Sequence, residues 1–179
     1  MNNTFSTLAL IIGRRNYHEA DRLLTFFTEK NGKIVVRAKG VRLSQSKRQG
    51  HIELFNTIKA QIIEGRGFPI LAQTELIEDR SLIKSDLKLL RIAYHLTELV
   101  SRLTPEHEKH QEIFDLLNRA LSSINLGIWD KEGYLSEKFE EKLLRLLGYG
   151  VPPDGNSWHE YIESIADFKL RSQEILNIG

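Results

Sequence analysis

Basic side chains are concentrated in one stretch of the chain that contains no acidic residue. Residues 30–48, called the basic block below, hold seven Lys or Arg and no Asp or Glu: Lys30, Lys33, Arg37, Lys39, Arg42, Lys47 and Arg48. A cationic surface is what binding to a phosphate backbone requires, because each neutralised phosphate releases condensed counterions. The basic block therefore predicts a nucleic-acid interface, and Arg14, Arg15 and Arg66 are candidates to extend it.

The alternative explanation for the basic block is protection of an exposed strand edge, for which proteins commonly use Lys and Arg. Edge protection does not need an acid-free run that continues through the following loop, so we favour nucleic-acid binding. Aromatic side chains would add base stacking to such a surface. Tyr17, in a predicted turn, and Phe55, on the outward register of a predicted strand, are candidates, and packing explains either of them equally well.

Patterns typical of enzymes are weak in this chain. It has no cysteine, which excludes disulfides, thiolate metal sites and cysteine nucleophiles. Gly32-Lys33 lacks the earlier glycine of a phosphate-binding loop, because position 27 is Phe, and Gly65-Arg66-Gly67 lacks the third glycine of a dinucleotide fingerprint. We therefore predict a binding protein that is not an enzyme, with no cofactor and no metal.

Two polar clusters are the remaining candidates for a metal or an acid–base site. His107 and His110, each next to a glutamate, follow Pro105 in a predicted loop, and no further ligand stands at a suitable spacing. His18, Glu19 and Asp21 would suit a metal-dependent nuclease, but no second carboxylate cluster pairs with them. We interpret the first cluster as surface and the second as a turn.

The charge of the chain is distributed unevenly around a net value of +1. Residues 1–70 carry 12 basic and 5 acidic side chains, whereas the remainder carries 13 basic and 19 acidic ones, so the net charges are +7 and −6. The chain thus has a cationic front and an anionic back. Because the period of the apolar residues changes from strand to helix near residue 80, we predict two domains, at residues 1–79 and 80–179.

The first domain is predicted to be a small β-barrel, because apolar and polar residues alternate there with a period of two. Five strands fit, at Phe5–Arg14, Asp21–Thr28, Lys33–Lys39, Ile52–Glu64 and Phe68–Ile77. Asn31-Gly32 is a strong hairpin signal between the second and third. We predict an OB-fold, a five-stranded barrel that commonly binds nucleic acid, with an SH3-like barrel as the alternative. On the third strand, Lys33, Arg37 and Lys39 are expected to share one face.

The second domain is predicted to be entirely helical, which makes the fold class α+β. Apolar residues from Leu82 to Leu103 recur at spacings of three and four, and further helices are expected at Glu108–Ile124 and Ser136–Leu147. Ser157 and Glu160 form a capping box that should begin a short helix. A last helical piece would include Leu170 and Leu176.

Three ordered blocks resemble the RecO family of recombination proteins. RRNYHEADRLLTFFTEKNGKIVVRAKGVR, residues 14–42, resembles that family's amino-terminal barrel, and GRGFPILAQTELIE, residues 65–78, resembles its last barrel strand. EEKLLRLLGYG, residues 140–150, resembles its helix ending in Leu-Gly-Tyr-Gly. Because the blocks span most of the chain in the same order, the resemblance is specific.

The resemblance implies an OB-fold protein that binds single- and double-stranded DNA and anneals complementary strands. It also implies RecR and the single-strand binding protein as partners, and assistance in loading RecA onto coated DNA. Lys33, Arg37, Lys39 and Arg42 match the family's DNA-facing pattern. The alternative is an OB-fold RNA-binding or protein-interaction module with no recombination role.

One departure from the family concerns metal. Family members typically carry a cysteine-rich zinc-binding insertion after the Leu-Gly-Tyr-Gly helix, and this chain has no cysteine. FKLRSQEIL, residues 168–176, still resembles the family's closing segment, so we expect an internal shortening between Val151 and Asp167. With no apolar run of transmembrane length and no leader pattern, we expect a cytoplasmic, nucleoid-associated protein that does not bind membranes.

Overall fold

The computed structural model describes residues 3–42, 50–128, 134–153 and 155–166. Five strands come first, at Thr4–Tyr17 (β1), Asp21–Thr28 (β2), Gly32–Ala38 (β3), Thr57–Ile63 (β4) and Ile70–Glu78 (β5). Within the described ranges five helices follow, at Ser81–Ser85 (α1), Leu87–Leu103 (α2), Gln111–Asn125 (α3), Tyr134–Leu146 (α4) and Trp158–Ala166 (α5). The predicted α+β class, with strands preceding helices, is confirmed.

The five strands close into a barrel in the order β1-β2-β3-β5-β4. All neighbours are antiparallel except β3 and β5, which meet in parallel where Arg37 faces Ile70. β1 serves two partners: Thr4–Leu10 pairs with β4, and Ala9–Tyr17 pairs with β2 across an irregularity between Ile11 and Gly13. Such a bulge bends a strand enough for it to take part in both sides of a small barrel. The prediction of an OB-fold barrel is confirmed.

Strand alternation places the apolar residues inside the barrel. On β3, Ile34, Val36 and Ala38 are buried, whereas Lys33, Val35 and Arg37 between them are half-buried on the other face. The interior cluster comprises Ala9, Ile11, Leu24, Phe26, Ile34, Val36, Ala38, Val41, Ile52, Ile58, Ala60, Ile62 and Leu71. On β3 the period-two pattern thus decides which face is left for binding. On β2 it does not, because Leu23 and Phe27 on the other face are buried as well.

The fourth strand is shorter than predicted and begins at Thr57 instead of Ile52. Residues 52–55 form turns, and Phe55 has a positive φ of 71° and a fully buried side chain. The Phe55 amide donates to the carbonyl of Ile11 at 2.8 Å. The outward position predicted for Phe55 is therefore wrong, and its ring is not available for stacking on a base.

The hairpin between β2 and β3 depends on Gly32. Its φ of +65° lies in the left-handed region, which favours glycine because a Cβ there meets the backbone. A Cβ at this position would also lie 1.9 Å from the carbonyl oxygen of Glu108. The hairpin is thus held against residues 104–114, which belong to the same compact unit as the barrel.

Residues 104–114 pack on the hairpin end of the barrel. The amide of His107 donates to the carbonyl of Lys33 at 3.0 Å, and Lys33 forms an isolated bridge with Glu106. The rings of Phe27 and Phe114 stack with centroids 6.5 Å apart. This part of the outer barrel surface is therefore covered.

The second compact unit consists of residues 81–103 together with the chain from Asp115 onward. The predicted run from Leu82 to Leu103 is divided at Asp86, whose carboxylate accepts from the amide of Lys88 at 2.7 Å and so caps α2. The capping box of α5 is confirmed: the Ser157 amide donates to Glu160 at 2.8 Å, and the Glu160 amide donates to the Ser157 hydroxyl at 3.2 Å.

The helical piece predicted around Leu170 and Leu176 lies outside the described residues. Among the helices that the structure describes, none combines the length and the apolar content needed to cross a membrane.

Candidate nucleic-acid interface

The cations of β3 lie at opposite ends of the strand. Lys33 and Arg37 are on the same outer face, but four residues of strand place them about 13 Å apart. The Lys33 ammonium donates to the carbonyl of Thr104 at 2.8 Å, and burial lowers its pKa. Lys39 is exposed in the turn after β3 rather than on the strand, which ends at Ala38. The predicted row of three strand cations therefore does not form, although a DNA-binding role for each residue stays a prediction.

An aromatic cluster lies at the other end of the barrel, where β1 ends and β5 begins. Tyr17 is at its centre: the His18 ring is 4.1 Å from the Tyr17 ring and the Phe68 ring is 5.9 Å away, both edge to face. Phe68 is 41% exposed, and the Arg37 guanidinium lies 5.3 Å from the centre of the Tyr17 ring. We call Tyr17, His18 and Phe68 the aromatic end of the barrel.

Asp21 fixes the start of the loop after β3 beside the aromatic end of the barrel. Its carboxylate accepts from the Gly40 amide at 2.8 Å and from Arg37 Nε at 2.6 Å, and Arg37 Nη2 completes the ion pair at 2.6 Å. The Gly40 bond, followed by the Arg37 bond, holds the pKa of Asp21 below its ordinary value. The Asp21 carboxylate thus has a structural role, because its oxygens are occupied by Gly40 and Arg37. This agrees with the interpretation of residues 18–21 as a turn.

The loop after β3 is anchored at a second point. The Arg42 amide donates to the carbonyl of Ala20 at 3.0 Å, and Arg42 Nη1 lies 3.3 Å from the carbonyl of His18. These bonds hold the exposed Arg42 side chain beside the aromatic end without neutralising its charge.

Arg14 and Arg15 are adjacent in sequence but project to opposite faces of β1. Arg14 forms an ion pair with Glu53 at 2.6 Å. Arg15 is exposed and has no acidic partner within ion-pair distance in the described part of the chain. Arg15 is in register with Leu23, which is in register with Arg37, so the two cations stand two strands apart on one outer row, about 10 Å between backbones.

The remaining predicted cations are distributed as follows. Arg66 is exposed in the loop two residues before Phe68 and therefore extends the aromatic end. Lys30 is exposed but lies in the hairpin, at the covered end of the barrel. Lys47 and Arg48 lie outside the described residues. The structure thus brings Arg15, Arg37, Lys39, Arg42 and Arg66 toward one end.

Sequence reasoning identified Tyr17 but missed His18 and Phe68 as ring contributors. Phe68 was predicted to be the first residue of the fifth strand, but β5 begins at Ile70 and Phe68 lies exposed in the loop before it. The signal for a loop was present in Gly65, Gly67 and Pro69. His18 adopts a positive φ of 49°, and in that conformation its ring lies against Tyr17. The sequence pattern gives no sign of this backbone conformation.

A second cluster, with metal-ligand chemistry, lies in the helical unit. His95 Nε2 is 2.7 Å from Glu140 Oε1, and His159 Nδ1 is 3.3 Å from the same oxygen. Burial by itself would raise the pKa of Glu140, but the hydrogen bonds from His159 and His95 outweigh burial and lower it. The sequence separations of 45 and 19 residues concealed this cluster. A four-cysteine zinc site, by contrast, does not fit a chain without cysteine.

Comparison with known proteins gives two family matches in chain order. Residues 1–80 match the family model described as recombination protein O, N terminal, and residues 84–172 match recombination protein O, C terminal. Curated relatives named DNA repair protein RecO agree. The protein from Symbiobacterium thermophilum is 32% identical over 142 residues, covering 78% of this chain and 55% of that protein.

Two further relatives carry the same name. The protein from Roseiflexus sp. is 34% identical over 145 residues, covering 81% of this chain and 50% of that protein. The protein from Listeria welshimeri is 29% identical over 167 residues, covering 93% of this chain and 65% of that protein. The chain thus spans about half the length of most curated relatives described here. With both family models matched in order along nearly its whole length, the chain belongs to the RecO family.

Proposed function

We propose that this chain acts in DNA repair and recombination as a non-enzymatic mediator that binds single- and double-stranded DNA through the aromatic end of its barrel. In this proposal it anneals complementary strands and, together with RecR, assists the loading of RecA onto DNA coated with single-strand binding protein. Membership of the RecO family and the names of the relatives support the role.

The observation that carries the proposal is the combination of cations and exposed rings at one end of the barrel. Arg15, Lys39, Arg42 and Arg66 are exposed there, and Phe68 offers a ring face beside Tyr17. Cations neutralise phosphates regardless of sequence, and an aromatic ring stacks on any base. This surface therefore suits an extended strand of arbitrary sequence.

Three of the predicted DNA-binding residues are engaged within the protein: Arg37 pairs with Asp21, Arg14 with Glu53, and Lys33 with the carbonyl of Thr104. Four exposed cations give a slope of log affinity against log salt of about −3 for single strands. A slope near zero would contradict DNA binding by this surface.

Annealing of complementary strands coated with single-strand binding protein tests the mediator role directly. We expect the chain to accelerate annealing and the triple variant Arg15→Glu, Lys39→Glu, Arg42→Glu to fail. The control variant Lys88→Glu, Lys109→Glu, Lys142→Glu makes the same change in net charge at exposed positions elsewhere and should anneal normally.

The same two variants distinguish the alternatives. If both retain full DNA affinity, the barrel is a protein-interaction module rather than a DNA-binding one. If the wild-type chain binds RNA tightly but does not anneal coated DNA, an RNA-binding OB-fold is the correct interpretation.

A further inference from the structure

Three helices of the second unit bring two imidazoles and one carboxylate to a single point. His95 lies on α2, Glu140 on α4 and His159 on α5. Their candidate ligand atoms all lie within 4.8 Å of one another, and the His95 and Glu140 side chains are at most 9% exposed. Among the residues that the structure describes, no other group of three possible ligands converges in this way.

A buried carboxylate and two imidazoles are the donor set that borderline divalent transition metals prefer. Imidazole nitrogens suit zinc and its neighbours in the first transition series, whereas magnesium and calcium take oxygen ligands. Helix bundles build metal sites in this manner, from side chains of facing helices that project to one point. The chemistry of the three donors thus selects a class of metal.

Two of the three distances between the ligand atoms are close to those around a bound ion, and the third is no more than 4.8 Å. Tetrahedral zinc with bonds of about 2.05 Å would hold its ligand atoms about 3.3 Å apart. His159 Nδ1 and Glu140 Oε1 are already 3.3 Å apart. The hydrogen bond of 2.7 Å between His95 Nε2 and Glu140 Oε1 would open by about 0.6 Å as the metal replaced its proton.

A metal at this site would strengthen the attachment of α5 to the other two helices. This helix has only nine residues, and its described contacts include the buried side chain of Ile162, the Trp158 ring against Arg145, 5.7 Å away, and the hydrogen bond between His159 and Glu140. A metal bound to His159 would add a coordinate link from α5 to both α2 and α4, which is a structural role that needs no catalysis.

We propose that His95, Glu140 and His159 form a binding site for a divalent transition metal of the zinc class, which fastens α5 to the other two helices. Three protein ligands leave the fourth position of a tetrahedral ion to water. This inference is independent of the DNA-binding proposal, since it concerns a different compact unit and different residues.

Titration of the chelator-treated full chain with Co²⁺ tests the proposal, because tetrahedral Co²⁺ absorbs in the visible region. We expect one equivalent to bind with visible absorbance, and Zn²⁺ to displace it. Zinc at about 100 times its dissociation constant should raise the melting temperature by about 5 to 10 °C.

The variant His159→Gln keeps a polar side chain at a half-buried position but removes the imidazole. We expect it to lose the visible absorbance and the zinc-dependent rise in melting temperature. The control variant His110→Gln, which removes a histidine that lies beside Glu108 at 3.4 Å, should retain both. Equal metal affinity in wild type and His159→Gln, or loss of binding in both variants, would overturn the proposal.

X-ray absorption of the chain loaded with one equivalent of zinc gives a test that needs no variant. Two imidazole nitrogens and at least one carboxylate oxygen are expected around the ion. Fewer than two imidazoles, or the absence of any bound zinc after gel filtration, would show that the cluster is a buried hydrogen-bonded network and not a metal site.

Discussion

The neighbours Arg14 and Arg15 offer a sharp test of the DNA-binding surface, because they are identical in charge and adjacent in sequence. Arg14 already forms an ion pair with Glu53 at 2.6 Å. Arg15 stands exposed on the outer row that it shares with Arg37. We therefore compare Arg15→Gln with Arg14→Gln, which make the same change in net charge at positions one residue apart.

The expected magnitude follows from counterion release. Four phosphate contacts give a salt slope of about −3 for single strands, so affinity falls about 50-fold between 50 and 200 mM salt. Removal of Arg15 leaves three contacts, which reduces that loss to about 20-fold and the slope to about −2. Arg14→Gln should leave the slope near its wild-type value, because the Arg14 guanidinium is already engaged by the Glu53 carboxylate, which also lies 3.8 Å from Arg22.

Fluorescence anisotropy with a labelled oligothymidine, repeated at four or more salt concentrations, measures these slopes. Circular dichroism and thermal melting of each variant check that the barrel is intact. Equal slopes for the two variants would refute the argument that register and ion pairing decide which arginine contacts DNA. A larger change for Arg14→Gln would place the interface on the opposite face of β1.

Three further predictions concern single positions. Phe68→Ala should weaken single-strand binding at least about fivefold, the least that loss of one stacked base implies, with an unchanged salt slope and little effect on duplex binding; a parallel loss of duplex affinity would contradict stacking. Gly32→Ala should lower the free energy of unfolding in urea by at least about 2 kcal/mol, because a Cβ at this positive φ would meet the Glu108 carbonyl. The control Gly65→Ala places its Cβ in open space and should lower the free energy of unfolding by less than about 1 kcal/mol. The folded-state pKa of Asp21 is lowered, so its stabilising contribution is complete above the ordinary carboxyl pKa near 4 and is lost as the pH falls through the lowered value. The free energy of unfolding of Asp21→Asn should therefore depend less on pH than that of the wild type between about pH 2 and 5. Identical pH profiles for the two proteins would show that the carboxylate contributes nothing.

The order and type of the elements could be predicted from local pattern. Alternation on β3 correctly placed Ile34, Val36 and Ala38 inside the barrel, because a strand has a period of two wherever it lies. The capping box at Ser157 was also predictable, since its bonds join residues three apart. Phe55 was predicted wrongly because the turn that buries it depends on hydrogen bonds to Ile11 and Arg80, which are distant in sequence.

The sequence by itself therefore determined the barrel, the helical unit, the family and the uneven distribution of charge, because each of these follows from composition, short-range periodicity or ordered similarity. Only the tertiary structure decided which cations remain exposed beside the aromatic end. Pairing of Arg37 with Asp21, Arg14 with Glu53 and Lys33 with Thr104 joins residues 16, 39 and 71 positions apart. The tertiary structure likewise decided that His95, Glu140 and His159 meet. Electrostatic and ligand contacts act over a few ångströms in space, and separation along the chain does not reveal that distance.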